Sequence, residues 1–124
     1  MIYFINARNI PLEAKEVWFC VRSLQIYKKQ PGIKYKHVSV LSPNLDLFLW
    51  ARKKIDHYEW DNAAFTKYHE EFTKQITNDT TAMNVISYLR SIGKDKEHDI
   101  YLACYCVNFE RCHLNILKDI INNA

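Results

Sequence analysis

Glycine and proline are scarce in this chain of 124 residues, which has two glycines and three prolines. Disordered and loop-rich segments are usually richer in these residues, so the sequence predicts an ordered domain. Long apolar runs are also missing, since no segment approaches the roughly 18 residues of a membrane-spanning helix. The N-terminal segment turns polar after five residues, so no signal peptide and no membrane association are predicted. The expected location is cytoplasmic.

Charge of one sign does not dominate either. The 17 basic and 14 acidic side chains give a formal net charge of +3. A nucleic-acid-binding protein normally concentrates basic residues in a dense stripe, so nucleic acid is not the expected partner. The mild positive charge does permit a small anionic ligand.

Apolar and aromatic residues are plentiful, with 48% hydrophobic residues that include three Trp, eight Tyr and six Phe. This composition can build a core, and the length predicts a single α/β domain over residues 1–124. In a reducing cytosol the four cysteines are expected to be thiols rather than disulfides.

Apolar segments of strand length alternate with amphipathic helical patterns. Strands are predicted at 2–7, 16–24 and 100–107, with a short edge strand at 37–41. A basic loop at 25–36 contains the turn signal Pro31-Gly32. Helices are predicted over 44–55, from the N-cap Asp61, from Thr80 to Gly93, and after Cys112. Without hairpin signals, this order predicts a small three-layer α/β domain with a mostly parallel, Rossmann-like sheet flanked by helices.

Ligands of such sheets bind beyond the carboxyl ends of the strands. Polar residues follow three predicted strands, and the N-terminus of the last helix would favour an anion such as a phosphate. The predicted ligand-binding residues are Arg8, Asn9, Arg22, Ser23, Tyr105, Asn108 and Arg111.

Three cysteines, Cys104, Cys106 and Cys112, are followed directly by His113. Cys106 or Cys112 could act as a nucleophile with His113 as its base, and the helix dipole would lower the pKa of a thiol there. Cys104 and Cys20 are more simply read as buried structural thiols. A zinc site is the less favoured interpretation. A Cys-x-Cys pair on a continuing strand does not easily direct both sulfurs at one ion, and the usual Cys-x-x-Cys knuckle is missing. No metal and no cofactor are therefore predicted.

The basic loop offers an alternative function. Its lysines alternate with Tyr27 and Tyr35 and could clamp a phosphate or stack a base, although a solvated loop is the simpler interpretation. An exposed Trp18, Trp50 or Trp60 would instead indicate a protein interface or a homodimer.

The segment "YLACYCVNFERCHLNILKDII" resembles the closing strand and helix of the domain-of-unknown-function 488 family, in which Cys-His-Arg opens the last helix. The segments "VRS", "YKHVSVLSPNLDLF" and "FTKYHEEF" resemble further segments of that family in the same order. The chain departs from the family pattern at Cys20, where the family has Asp, and at Leu114, where it has Arg. The resemblance implies a pocket lined by Arg22, Ser23, Cys106, Cys112 and His113.

These observations support three functional hypotheses. The first is a binding protein for an anionic, nucleotide-derived ligand at the carboxyl edge of the sheet, as in a phage or mobile-element protein that sequesters a signalling nucleotide. The second is a thiol enzyme that uses Cys106 or Cys112 with His113. The third is a nucleic-acid or protein interaction module. Binding without turnover is the preferred interpretation.

Overall fold

The computed structural model describes residues 1–24, 30–106 and 111–123. The strands are β1 (Ile2–Asn6), β2 (Glu16–Phe19), β3 (Lys34–His37) and β4 (Ile100–Cys104). The helices are α1 (Leu45–Asp56), α2 (Asn62–Thr77), α3 (Thr80–Gly93) and α4 (His113–Asn122), and a 3₁₀ turn spans Ser39–Leu41.

The four strands form one parallel sheet in the order β1-β4-β2-β3. All five residues of β4 are buried, as expected for a central strand that is covered on both faces. Helix α4 packs against β1 and β4, α3 packs against β1, and α2 packs against both α3 and α4. These elements are those of a small three-layer α/β domain, which confirms the predicted fold class.

Three helices begin at side chains that satisfy unpaired backbone N–H groups. Asn44, Asp61 and Asp79 each accept a hydrogen bond from the backbone N–H group three residues later. The predicted N-cap at Asp61 is thereby confirmed.

A side chain on α3 also holds the last turn of α4 in place. The guanidinium of Arg90 donates to the carbonyls of Ile120, Ile121 and Asn123.

Two strand predictions were wrong in their bounds. The predicted strand 16–24 ends at Phe19, and the predicted strand 100–107 ends at Cys104. Both strands end where their pairing with a neighbouring strand stops. The last pair between β1 and β4 is Asn6–Cys104, and the last pair between β2 and β4 is Phe19–Ala103. Beyond β2, Cys20 and Val21 are buried in the core although they lie outside the regular strand, so apolar composition alone overextended the predicted strand.

The predicted edge strand at 37–41 was also wrong, since the edge strand β3 lies at Lys34–His37 and residues 39–41 form the 3₁₀ turn. Exposed lysines alternate with half-buried Tyr35 along β3, a pattern that protects a sheet edge from further pairing. Part of the predicted basic loop is therefore sheet. Gly32 has a φ of 83°, which supports the predicted turn at Pro31-Gly32.

None of the helices in the described ranges combines the length and apolarity that crossing a bilayer requires.

Candidate functional site

The end of β4 and the start of α4 bring three thiols together at the carboxyl edge of the sheet. Because β4 ends at Cys104, the chain no longer alternates beyond it, and Cys106 lies outside the regular strand. Cys112 occupies the N-cap position of α4, but its side chain makes no capping hydrogen bond. Its sulfur instead faces the two other thiols, and all four cysteines of the chain are free.

The sulfur of Cys112 lies between the other two. Its Sγ is 3.0 Å from that of Cys104 and 2.6 Å from that of Cys106. All three sulfurs lie within 4.8 Å of one another. Cys104 and Cys112 are fully buried, whereas Cys106 is partly exposed. Cys106 is therefore the least buried cysteine of this cluster.

His113 is oriented by a hydrogen bond to the end of β2. Its Nε2 lies 2.5 Å from the backbone carbonyl oxygen of Cys20, which can only accept, so Nε2 carries the proton. Nδ1 is then unprotonated in the neutral ring and lies 3.7 Å from the sulfurs of both Cys106 and Cys112. The Phe72 ring packs against the imidazole in a T-shaped arrangement at a centroid distance of 5.8 Å. The basic nitrogen is thus held towards the thiols from two sides.

Burial and mutual hydrogen bonding set the protonation of this cluster. Hydrogen bonds from Cys106 and Cys112 favour a thiolate at Cys104 and lower the pKa of Cys104. The hydrogen bond to Cys104 raises the pKa of Cys106, and burial raises the pKa of Cys112. Burial also lowers the pKa of His113, which keeps its imidazole neutral. The raised pKa keeps the partly exposed thiol of Cys106 protonated beside the unprotonated Nδ1 of His113.

Two further residues, Asn6 and Tyr68, lie next to the thiol cluster. The sequence pattern did not identify either of them as a site residue. The side-chain amide of Asn6, at the end of β1, donates to the carbonyl of Cys106 at 2.9 Å. Tyr68 on α2 was read as core, and it is buried. However, burial and the nearby charge of the thiols raise its pKa, so its hydroxyl belongs to the electrostatic surroundings of the site. The one sequence feature that could have indicated Asn6 as a site residue is its polar side chain near the end of a predicted strand.

Two of the three arginines predicted to bind the ligand, Arg22 and Arg111, contact backbone carbonyls. Arg22 donates to the carbonyl of Pro43 at 3.3 Å and lies 6.0 Å from the centre of the Phe48 ring. Arg111 donates to the carbonyl of Trp60 and, at 2.8 Å, to Oδ1 of Asn62. Arg111 therefore joins the start of α4 to the start of α2.

The other predicted ligand-binding residues follow the strand ends. Arg8 and Asn9 are exposed beyond β1, where their backbone N–H groups donate to Asn6. Ser23 is exposed beyond β2. Tyr105 stacks on Phe19 with ring centroids 6.0 Å apart.

The remaining predictions concern Asn108, the basic loop and the aromatic residues, and the structure describes only some of these residues. Asn108, Tyr27, Lys28 and Lys29 lie outside the described residues. Of the aromatic residues proposed for stacking or interfaces, Tyr35 packs on Phe19 and Trp18 is buried. Trp50 and Trp60 are partly buried and pack against each other.

Both departures from the family pattern have a structural explanation. The side chain of Cys20 is fully buried, and burial raises its pKa, while its backbone carbonyl orients His113. Leu114 is fully buried in the core on α4. Neither position contributes a polar side chain to the site, and the site is completed by backbone and thiol groups.

Comparison with known proteins agrees with this architecture. A family model described as the active DUF488-N3 subclade, DUF488-N3a, matches residues 6–124, a range that includes every site residue named above. Comparison with curated proteins and with solved structures gives no match. The chain belongs to the DUF488 family, as the resemblance of its C-terminal segment had predicted.

Proposed function

We propose that this protein is a thiol-dependent enzyme in which Cys106 is the nucleophile and His113 is its base. One observation carries this proposal: Nε2 of His113 donates to the carbonyl of Cys20, and this bond turns Nδ1 towards the thiols. A nucleophile, a base and a group that orients the base are the three components of an activated thiol site. This arrangement favours catalysis over the preferred sequence-based hypothesis of binding without turnover.

The proposed reaction begins with proton transfer from the thiol of Cys106 to Nδ1 of His113. The sulfur then attacks an electrophilic carbon of the substrate, and the departing group takes the proton back from the imidazolium. Water, deprotonated by His113, then forms a bond to that carbon as the carbon–sulfur bond breaks, and the imidazolium returns the proton to the sulfur of Cys106. The N-terminus of α4, the positive end of its helix dipole, lies next to the cluster and can stabilise negative charge that develops on the substrate.

The proposed substrate is a small anionic molecule derived from a nucleotide. Support comes from the exposed side chains of Arg8 and Ser23, which follow β1 and β2 on either side of the central strand β4. The family model's description as an active subclade is consistent with turnover. A cytoplasmic location is also proposed, because free thiols persist in a reducing compartment.

A panel of nucleotides tests this proposal. The metal-free, reduced protein is incubated with nucleoside phosphates, cyclic dinucleotides and dinucleotide cofactors, and each is quantified by mass spectrometry over time. We expect one class to be consumed, and we expect Cys106→Ala to bind the same compound without consuming it. Consumption by Cys106→Ala at the rate of the unmodified protein would contradict the proposal.

Sequestration without turnover is the second candidate function, favoured by the exposed Arg8 at the same sheet edge. It fits a phage or mobile-element protein that removes a signalling nucleotide. In the same panel it predicts a nucleotide that stays intact and bound. Arg8→Ala should then weaken binding by roughly tenfold or more. Arg52→Ala, on the exposed side of α1, is the matched control and should leave affinity unchanged.

Native mass spectrometry of these samples also tests the predicted homodimer.

A further inference from the structure

We infer that the three clustered thiols and His113 form a binding site for a single Zn²⁺ or a similar thiophilic ion. The main argument against zinc was the awkward geometry of a Cys-x-Cys pair on a strand. That argument fails, because β4 ends at Cys104 and Cys106 lies outside it. The inference goes beyond the proposed catalytic function and does not depend on it.

The ligand atoms are suitable in number and type. Three sulfurs lie within 4.8 Å of one another, and Nδ1 of His113 is 3.7 Å from two of them. Zinc–sulfur bonds of about 2.3 Å and zinc–nitrogen bonds of about 2.0 Å place tetrahedral sulfur and nitrogen ligands roughly 3.6 Å apart. The observed separations between nitrogen and sulfur therefore already match a tetrahedral site.

The sulfurs need to separate for an ion to enter. Cys112 lies 2.6 Å and 3.0 Å from its two neighbours, whereas tetrahedral zinc sets sulfur ligands roughly 3.8 Å apart. Each of these two separations must grow by about 1 Å, and side-chain rotation at Cys106, outside the strand, can supply the increase between Cys106 and Cys112. An ion at the centre would also remove the close contact between three polarisable sulfurs.

The surroundings have the features of a metal site. A histidine that binds a metal usually donates its other ring N–H group to a carbonyl or carboxylate, and His113 donates Nε2–H to Cys20. Burial of Cys104 and Cys112 limits access of competing ligands from solvent. All three cysteines bind the ion as thiolates, so the complex with Zn²⁺ carries a net charge of −1.

Metal binding would also control the proposed reaction. The ion occupies the sulfur of Cys106 and Nδ1 of His113, so the loaded protein cannot use either group on a substrate. Thiophilic ions are therefore expected to inhibit the enzyme reversibly, and a chelator is expected to restore it.

Cobalt titration of the reduced, metal-free protein tests the site without any activity assay. We expect one Co²⁺ per chain, with thiolate-to-metal charge-transfer absorption and the strong visible bands of a tetrahedral ion, and displacement by Zn²⁺. Cys104→Ser, Cys106→Ser and Cys112→Ser should each lose more affinity than the roughly 10–100-fold typical of removing a group that only orients a metal ligand. His69→Gln is the matched control, because the Nε2 of His69 lies 3.2 Å from Asp119 outside the cluster, and it should retain the full spectrum.

A thiol-protection measurement on the unmodified protein keeps the inference independent of variant folding. In the presence of Zn²⁺, three of the four cysteines should resist a thiol reagent under mild denaturation, and a chelator should release them. Absence of charge-transfer absorption together with unprotected thiols would overturn the inference. Equal loss of absorption in His69→Gln would overturn it as well. Neither result bears on whether the metal-free protein catalyses a reaction.

Discussion

His113→Gln is expected to lower the rate at which the protein reacts with 4-nitrophenyl acetate by about 10²–10⁴-fold, the usual contribution of a positioned general base. Glutamine can still donate an amide N–H group towards the carbonyl of Cys20, but it has no basic nitrogen to accept the proton of Cys106. Release of nitrophenolate by the reduced, chelator-treated protein measures the acylation of the thiol directly, before any natural substrate is known.

His69→Gln is the matched control for this experiment. His69 lies on α2, where its Nε2 is 3.2 Å from Oδ2 of Asp119 and apart from the thiol cluster. We expect this variant to react at the unmodified rate. Circular dichroism and thermal melts should show that both variants are folded. Equal rates for folded His113→Gln and for the unmodified protein would exclude His113 as the base.

Phe72→Ala is expected to lower the free energy of unfolding by about 3–5 kcal/mol, as is typical when a fully buried phenylalanine is truncated. Phe72 has no exposed surface, stacks on Tyr68 at 6.2 Å and packs against the ring of His113. The deletion would open a cavity between α2 and the start of α4. Urea-induced unfolding in the presence of reductant, fitted with a common slope, measures the change.

Phe48→Ala on α1 is the corresponding control. The Phe48 side chain is 41% exposed, and its described partner is the Arg22 guanidinium, so its loss should cost no more than about 1 kcal/mol. Similar losses for the two variants would mean that the α2–α4 contact is not a principal source of stability.

Local signals in the sequence were sufficient for most of the helices. Asp61 and the spacing of Tyr68, Phe72 and Ile76 specify the start and the buried face of α2 within one short segment. Strand bounds depend on partners far along the chain. The strand at Lys34–His37 exists because it pairs with Glu16–Phe19, and its alternating lysines resemble a solvated loop when considered alone.

The site could be predicted in its residues but not in its geometry. The closeness of Cys104, Cys106, Cys112 and His113 in the sequence indicated a cluster. The orientation of His113 depends on the carbonyl of Cys20, which is 93 residues away and carries no side-chain signal. Arg111 contacts Trp60, which is also far away in the sequence. From the sequence alone, a charged residue just before a helix could not be distinguished from part of an anion-binding site.

Residue-resolved alkylation of the native protein tests the central claim most directly. The reduced, metal-free protein is treated briefly with iodoacetamide near neutral pH and quenched, and each of the four cysteines is followed by peptide mass spectrometry. The account predicts that Cys106 is modified first and that His113→Gln slows this reaction selectively. Faster modification of a buried cysteine such as Cys20, or uniformly slow modification of all four that His113→Gln leaves unchanged, would contradict it.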